Sequence, residues 1–412
     1  MATRATTNTI RGLFLLHPTT TTLLLRRQKT TSAAAVASRH RDPTFEKLML
    51  SYKHYQKVLP IADLILSSPS LSLPFPVLAS LSQRLRLNRG AHHFVRSHPH
   101  VFSLSPSSPH PLLRLTPSAL SISRSESSSS AAAAAFSVDR LLRLLSMSLS
   151  GSVPLRAVFR VWRELGLPDD FEDSVLRDNP QLFSVRDNPK ERNTHILELV
   201  GMEKPKPDFT AAAEEWRGQE MGKEGLGEVD LLELRYAFKQ GFPPSMRLSQ
   251  DYRSKLKKWQ RLPYIGPYAS LEGEAKRSKL GTRQLEKRAV GIVHEFLSLT
   301  VEKMVEVEKV SQFRKSFGID LNIRDLFLDH PGMFYLSTKG KGHTVFLREA
   351  YAKGRLLQAN PIYDARRQLL DLVRMRRRGV VTDDGLVERK RVAEGEVEED
   401  WEDEEEEDEE DQ

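Results

Sequence analysis

Basic side chains are concentrated in four stretches of this 412-residue chain, and they are its clearest chemical signal. Lys and Arg bind phosphate groups whatever the base sequence, so these stretches predict a polyanionic partner such as a nucleic acid. Tyr252, Trp259 and Tyr264 stand among the cations of one stretch, and aromatic rings can stack on unpaired bases. An ordinary solvated face is the alternative interpretation. The candidate nucleic-acid-binding residues are Arg84, Arg86, Arg89, His93, Arg96, Arg253, Lys255, Lys257, Lys258, Trp259, Arg261, Lys339, Lys341, Arg374, Arg376 and Arg377.

Other residue types offer little chemistry. His92, His93, His98 and His100 lie close together, but adjacent helical positions point to different faces and a closed zinc site needs four convergent ligands, so we predict no metal site. The chain contains no cysteine, no phosphate-binding Gly-x-x-x-x-Gly-Lys, no nucleophile elbow and no His-Glu-x-x-His. We therefore expect a protein that is not an enzyme, with no cofactor and no small-molecule substrate. A nuclease built on paired carboxylates is the one activity left open.

The formal net charge of +7 conceals a strong asymmetry. Residues 394–412 hold 15 acidic side chains and no Lys or Arg, whereas residues 42–393 carry a net charge of +15. A basic body with an acidic tail favours a nucleic-acid partner over a mere effect on solubility. Residues 376–412 are predicted to be a charged, disordered tail. We hypothesise that its acidic part, residues 394–412, competes with a bound nucleic acid for the basic faces.

Residues 1–41 read as a targeting leader. They contain seven Lys and Arg, many Thr, Ser and Ala, and no Asp or Glu, a composition typical of an organelle transit peptide. Ile10, Leu13, Phe14 and Leu16 could form a short amphipathic helix, which favours the mitochondrion over the chloroplast. No apolar run approaches 18 residues, so no membrane span is predicted.

One phrase, Pro-x-x-Phe, occurs three times, within residues 98–104, 179–185 and 330–336. Each copy follows an apolar landmark by 12 or 13 residues, counted to the proline; the landmarks are Leu87, Leu167 and Ile319. Such self-similarity predicts one supersecondary unit used three times. Proline stops the preceding helix, and the aromatic residue can then fill the core where a strand begins. Phe102, Phe183 and Phe334 are therefore predicted to be core residues and not base-stacking platforms.

The elements around each copy read as helix, extended segment, helix, helix and hairpin, which is the order of a winged helix. We predict a mainly α fold with short β-hairpins, containing about three winged-helix-like modules in tandem, at residues 42–118, 137–200 and 284–352. Lys339 and Lys341 lie at the tip of the third hairpin. The Ser/Ala-rich residues 121–135 are predicted to be a flexible linker, and residues 205–227 a loop or an interrupted helix.

Long ordered stretches of the chain resemble the plant organelle RNA recognition (PORR) domain family. They lie at residues 42–46, 59–66, 94–99, 162–172, 261–264, 286–290, 297–303, 313–315, 330–341 and 344–351. The resemblance covers about residues 42–375 and is interrupted at residues 121–135 and 203–230, where the spacing of the modules departs from the pattern.

This resemblance, to the WHAT'S THIS FACTOR and ROOT PRIMORDIUM DEFECTIVE type of member, implies RNA binding in plant mitochondria or chloroplasts. It also implies a non-enzymatic role in group II intron splicing beside other splicing factors. The family offers no agreed catalytic or base-contacting residues. We expect a protein that binds single-stranded or structured intron RNA. The alternatives are an organellar DNA-binding or transcription-related factor, with residues 89–97 in a major groove, and a protein scaffold whose charge is incidental.

Overall fold

A computed structural model describes residues 41–106, 110–189, 191–200, 209–223, 225, 227–243, 246–269, 279–339 and 342–375. The predicted leader and tail, and the candidate residues Lys341, Arg376 and Arg377, lie outside these ranges, apart from Arg41. Within the described ranges, none of the helices combines the length and apolar character that crossing a membrane requires.

The same order of helices and strands occurs three times along the chain. The first repeat contains α1 (Pro43–Leu66), β1 (Leu73–Pro74), α2 (Phe75–Ser80), α3 (Gly90–Ser97), β2 (Phe102–Ser105) and β3 (Leu112–Leu115). After α4 (Pro117–Ala132), the second contains α5 (Ala134–Ser146), β4 (Ser152–Pro154), α6 (Leu155–Val161), the π-helix Glu172–Arg177, β5 (Phe183–Asp187) and β6 (His195–Leu199).

A helical insert separates the second repeat from the third. It contains α7 (Ala212–Met221), α8 (Glu228–Leu234) and α9 (Gln250–Gln260). The third repeat contains α10 (Lys279–Leu299), β7 (Met304–Glu306), α11 (Val307–Ser311), α12 (Ile323–Asp329), β8 (Phe334–Ser337) and β9 (Thr344–Leu347). It is followed by a 3-10 turn (Arg348–Ala350), β10 (Tyr351–Ala352), β11 (Arg355–Leu356) and α13 (Pro361–Arg374).

Each repeat forms a three-stranded antiparallel sheet whose third strand lies in the middle, in the orders β1-β3-β2, β4-β6-β5 and β7-β9-β8. The registers are equivalent as well, because the phenylalanine of each Pro-x-x-Phe begins the second strand. It pairs with the last residue of the third strand, as Phe102 with Leu115, Phe183 with Leu199 and Phe334 with Leu347. The prediction of a mainly helical chain with small antiparallel sheets is therefore confirmed.

The Pro-x-x-Phe phrase forms one turn in all three repeats. The carbonyl before the proline accepts the phenylalanine N–H, over 3.0 Å from Phe102 and 3.1 Å from Phe183 and Phe334. The three rings are 3%, 4% and 1% exposed, so the predicted core role is confirmed.

The landmark residues Leu87, Leu167 and Ile319 also share a conformation. Each follows a residue with left-handed backbone, and each donates its N–H to the carbonyl five residues earlier in the chain. The left-handed residues are Arg86, Gly166 and Gly318, and this pattern is a Schellman helix end.

The prediction of a flexible linker at residues 121–135 is wrong. Thr116 accepts the Ala119 N–H at 3.2 Å and caps α4, which packs along α13. The buried positions of α4, Ala119, Ser123 and Ser130, recur at four and seven residues, which places them on one face. Small side chains let two helices approach closely, so a composition that looks like a linker becomes a packed helix. In the 205–227 segment, the interrupted-helix alternative matches α7.

Two hydrophobic cores meet at the sheet of the third repeat. One core joins the second and third repeats and includes Phe334, Val345 and Leu347. The other joins the first repeat to α13 and includes Tyr335 and Phe346 from the opposite face of the same strands. The third sheet is thus covered on both sides, which makes it the centre of the molecule.

A buried ionic cluster holds the first repeat and α13 to the rest. Arg366 of α13 is 5% exposed and contacts Glu126 of α4 at 2.8 Å, Glu302 before β7 at 3.6 Å, and the Arg163 carbonyl at 2.8 Å. Tyr52 of α1 donates to Glu302 at 2.8 Å. Five separate parts of the chain therefore meet in this cluster, and burial raises the pKa of Glu302 above its usual range.

Replacing Arg366 with alanine is expected to destabilise the fold by about 3–5 kcal/mol, because it leaves two carboxylates without their cation in a dry site. Urea unfolding measures this change. Arg177→Ala is the matched control, since Arg177 pairs with Asp173 at an exposed site, where an ion pair contributes about 0–1 kcal/mol. Equal losses for the two variants would contradict the role of the cluster.

The Glu302→Gln variant is expected to change how stability depends on pH. The folded state holds the Glu302 proton more tightly than the unfolded state, so the free energy of unfolding falls as the pH rises from the ordinary glutamate pKa to the raised one. The variant lacks this contribution. Urea unfolding of both proteins, at a series of pH values above about 4.3, gives the difference in free energy. A difference that stays constant with pH would be inconsistent with the raised pKa.

Candidate nucleic-acid interface

The first repeat contains a long stretch of chain without acidic residues, at residues 64–125. Between Asp63 and Glu126 the chain has no Asp or Glu, a signal that is visible in the sequence as a long gap between acids and not as a cluster of cations. The same stretch holds six arginines, Arg84, Arg86, Arg89, Arg96, Arg114 and Arg124, and all six are exposed. Within the described part of the chain, all of these except Arg89 are without an ion-pair partner. Such unneutralised cations attract phosphate.

Helix α3 turns its apolar side inward and its basic side outward. Ala91, Phe94 and Val95 are buried, whereas Arg89, His93 and Arg96 are exposed at steps of three and four residues. Arg84 and Arg86 lie in the turn that leads into the helix, and Arg114 lies on β3 opposite Ser103. We call Arg84, Arg86, Arg89, His93 and Arg96 the first-repeat basic face. The structure thus brings this predicted set together on one helix and the turn before it.

The four histidines of this region divide between core and surface. His98 is 1% exposed, and its Nδ1 lies 2.8 Å from the Phe94 carbonyl. His92, His93 and His100 are exposed. Among the described residues, no three His, Asp or Glu side chains converge in a way that could hold a metal ion. His98 therefore closes the end of α3.

The second predicted set lies on α9, which begins where Ser249 accepts the Tyr252 N–H at 3.3 Å. Arg253, Lys255, Lys257 and Lys258 are exposed on this helix. Lys257 contacts Glu233 at 2.8 Å, and Arg261 pairs with the same carboxylate. One acid therefore offsets two of these cations, so the set is less strongly positive than its sequence suggests.

The aromatic residues around α9 face the protein. Trp259 lies with its ring centroid 4.6 Å from that of His330, and Tyr264 accepts a hydrogen bond from Arg217 at 2.5 Å. Both are half-buried against the core that the second and third repeats share. These rings attach α9 to the third repeat, which explains why a basic helix carries so many aromatic residues.

Lys287, which sequence reasoning missed, anchors the end of α9. It is fully buried, and its ammonium group donates to the carbonyls of Trp259 at 2.9 Å, Gln260 at 2.8 Å and Leu262 at 2.8 Å. Burial lowers the pKa of Lys287 to about 7, while three acceptors at a helix C-terminus favour the charged form. Lys287 lies in the family-like stretch 286–290, but its role could not be inferred there, because it depends on a segment about 25 residues away.

The remaining candidates are dispersed. Lys339 is half-buried at the end of β8 and donates its backbone N–H to Ser337 Oγ at 3.3 Å. Arg374 is exposed at the end of α13, 3.9 Å from Asp371. The structure therefore concentrates the described candidates in two places, the first-repeat basic face and the outer side of α9.

A family model described as the plant organelle RNA recognition domain matches residues 40–378 of the chain. Protein ROOT PRIMORDIUM DEFECTIVE 1 of Arabidopsis thaliana is 36% identical over 357 residues, which cover 85% of this chain and 86% of that protein. Protein WHAT'S THIS FACTOR 1, chloroplastic, of Zea mays is 28% identical, covering 83% of this chain and 68% of that protein. Protein WHAT'S THIS FACTOR 9, mitochondrial, of Arabidopsis thaliana is also 28% identical, covering 81% and 84%. No solved structure matches the chain.

Lys287→Met is expected to destabilise the protein by about 1–3 kcal/mol, because it leaves buried carbonyl acceptors without a donor. Denaturant unfolding measures the loss. Lys258→Met, on the exposed side of α9, is the matched control and should change stability by no more than about 0.5 kcal/mol. If both substitutions are neutral, Lys287 does not anchor α9.

Proposed function

The chain belongs to the plant organelle RNA recognition family, and on this basis we propose that it is a non-catalytic RNA-binding protein of a plant organelle. It promotes group II intron splicing by binding intron RNA and holding it in a productive shape. The reaction itself is left to the RNA, and other splicing factors are its partners. The names of two relatives support an organellar location, since one is chloroplastic and another mitochondrial.

The observation that carries this proposal is the acid-free, basic stretch of the first repeat, residues 64–125. Its arginines are exposed and its core residues are apolar, so the charge does not serve packing. Excess positive charge with no internal partner fits a polyanion and supplies affinity that depends on salt. The absence of convergent metal-binding side chains among the described residues is compatible with a binding role.

We further propose that each repeat is a winged-helix-like module, within a single RNA-binding region at residues 42–375. The order helix, strand, helix, helix, strand, strand and the sheet order first-third-second support this assignment. The same assignment is compatible with the DNA-binding alternative. The basic side of α3 is exposed, and the third helix of a winged helix can enter a DNA major groove. The major groove of A-form RNA is too deep and narrow to admit such a helix, so the helix would contact RNA mainly at its phosphates.

For the organelle, we propose the mitochondrion, with the chloroplast as the alternative. The support is the acid-free, Arg- and hydroxyl-rich composition of residues 1–41, with an apolar set around Arg11 that suits an amphipathic import helix.

Binding assays with the full chain discriminate between the RNA and DNA proposals. The ligands are a hairpin RNA, a single-stranded RNA and a duplex DNA of matched sequence, titrated from about 50 to about 200 mM salt. We expect RNA to bind more tightly than duplex DNA, with affinity falling as salt rises. Tighter binding to duplex DNA would favour the alternative, and affinity that is independent of salt would favour the protein scaffold.

Immunoprecipitation of the tagged protein from plant organelles, followed by sequencing of bound RNA, tests the splicing role. The control is a tagged reporter carrying only residues 1–41 as its leader. We expect group II intron sequences to be enriched over this control, and the organelle of origin of those introns identifies the location. Enrichment of no intron would overturn the splicing proposal.

A further inference from the structure

We propose that the first repeat alone docks the RNA through its third helix, and that it grips the phosphate backbone of helical RNA and not unpaired bases. The inference rests on the proposed RNA-binding function and deepens it. It comes from comparing three surfaces that share one backbone geometry. The turn after the third helix is the same in each repeat, so α3, the π-helix and α12 occupy equivalent places.

The equivalent surface of the second repeat is acidic. The π-helix and its flanks carry one cation, Arg177, which contacts Asp173 at 2.6 Å. The acids there are Asp169, Asp170, Glu172, Asp173 and Asp178. A surface that carries five acidic side chains and one basic side chain repels phosphate. The third helix of the second repeat is therefore unsuited to an RNA backbone.

In the third repeat, the insert covers the turn that follows the third helix. The N–H of Gly241 donates to the Gly332 carbonyl at 2.6 Å, in the turn after α12. A Cβ on Gly332 would lie 2.2 Å from Gln240 and 2.4 Å from Phe242. The corresponding residues His100 and Gln181 in the other repeats are exposed. The insert thus covers this turn in the third repeat, whereas the same turn is exposed to solvent in the first repeat.

The wing of the third repeat is closed as well. Tyr335 and Phe346 on its outer face belong to the core shared with the first repeat. In the first repeat, Ser103, Leu104 and Arg114 of the corresponding hairpin are exposed. Among the described residues, the first repeat alone combines an open turn after its third helix, an open hairpin and an excess of cations.

The chemistry of this face favours phosphates over bases. Phe94 and Phe102 are buried, and Phe75 is half-buried, with its ring 5.9 Å from that of His92. Stacking platforms for unpaired bases are typically built from accessible Phe, Tyr or Trp rings, and the exposed rings described on this face are only the smaller imidazoles of His92, His93 and His100. Arginines without such rings contact the backbone, which positions a protein on a helical nucleic acid without reading its sequence.

The test uses the full chain and two triple variants that each remove three exposed cations. The first-repeat variant is Arg84→Gln, Arg86→Gln and Arg96→Gln, and the matched control on α9 is Arg253→Gln, Lys255→Gln and Lys258→Gln. Within the described part of the chain, these six side chains make no ion pair, so both variants should fold. Circular dichroism melts verify this. The probes are an RNA hairpin with a long stem and an unstructured oligouridine of equal length, titrated by fluorescence anisotropy.

We expect the wild type to prefer the hairpin. At about 0.1 M salt the first-repeat variant should lose at least about tenfold in hairpin affinity, and its slope of log affinity against log salt should become shallower by about 3. The α9 variant should lose less than about threefold, because only the first-repeat face is proposed to contact the backbone.

The outcomes separate the two proposals. A wild-type protein that binds neither RNA overturns the proposed function itself. If the wild type binds RNA but the α9 variant loses as much affinity as the first-repeat variant, the assignment to the first repeat is overturned and the function stands. Equal wild-type affinity for oligouridine and the hairpin overturns the preference for helical RNA.

Discussion

The architecture depends on the buried pairing of Arg366 with Glu126 and Glu302. These three charges come from α13, α4 and the turn before β7, and without one another each would be a costly charge in a dry interior. Charge pairing of this kind requires defined geometry, so it sets where the first repeat sits on the third. Nonspecific apolar contact between the two cores would leave that position less well defined.

The three repeats, joined in this way, differ in their position and in how much of their surface is exposed to solvent. The third repeat lies at the centre, with both faces of its sheet covered, and the second shares its core. The first repeat is attached through one side and keeps its third helix and hairpin open to solvent. Three copies of one backbone therefore present three different surfaces, which are basic, acidic and covered.

Local signals explain which predictions succeeded. Pro-x-x-Phe was interpretable because proline stops a helix and the next turn buries the aromatic ring, whatever surrounds it. Residues 121–135 were misjudged because Ser and Ala suit either a linker or a tightly packed helix, and only the presence of α13 decides between them. Trp259 was likewise ambiguous, since an aromatic residue on a basic helix can face a ligand or a core.

By itself, the sequence determined the threefold repeat, the short hairpins, the buried phenylalanines and the basic character of the body, because each depends on neighbouring residues or on composition. Only the tertiary structure decided which repeat remains accessible and that Lys287 holds α9 in place. It alone also brought five parts of the chain together in the cluster around Arg366. These features arise from contacts between residues far apart in sequence, where burial and charge pairing are set by packing and no local pattern records them.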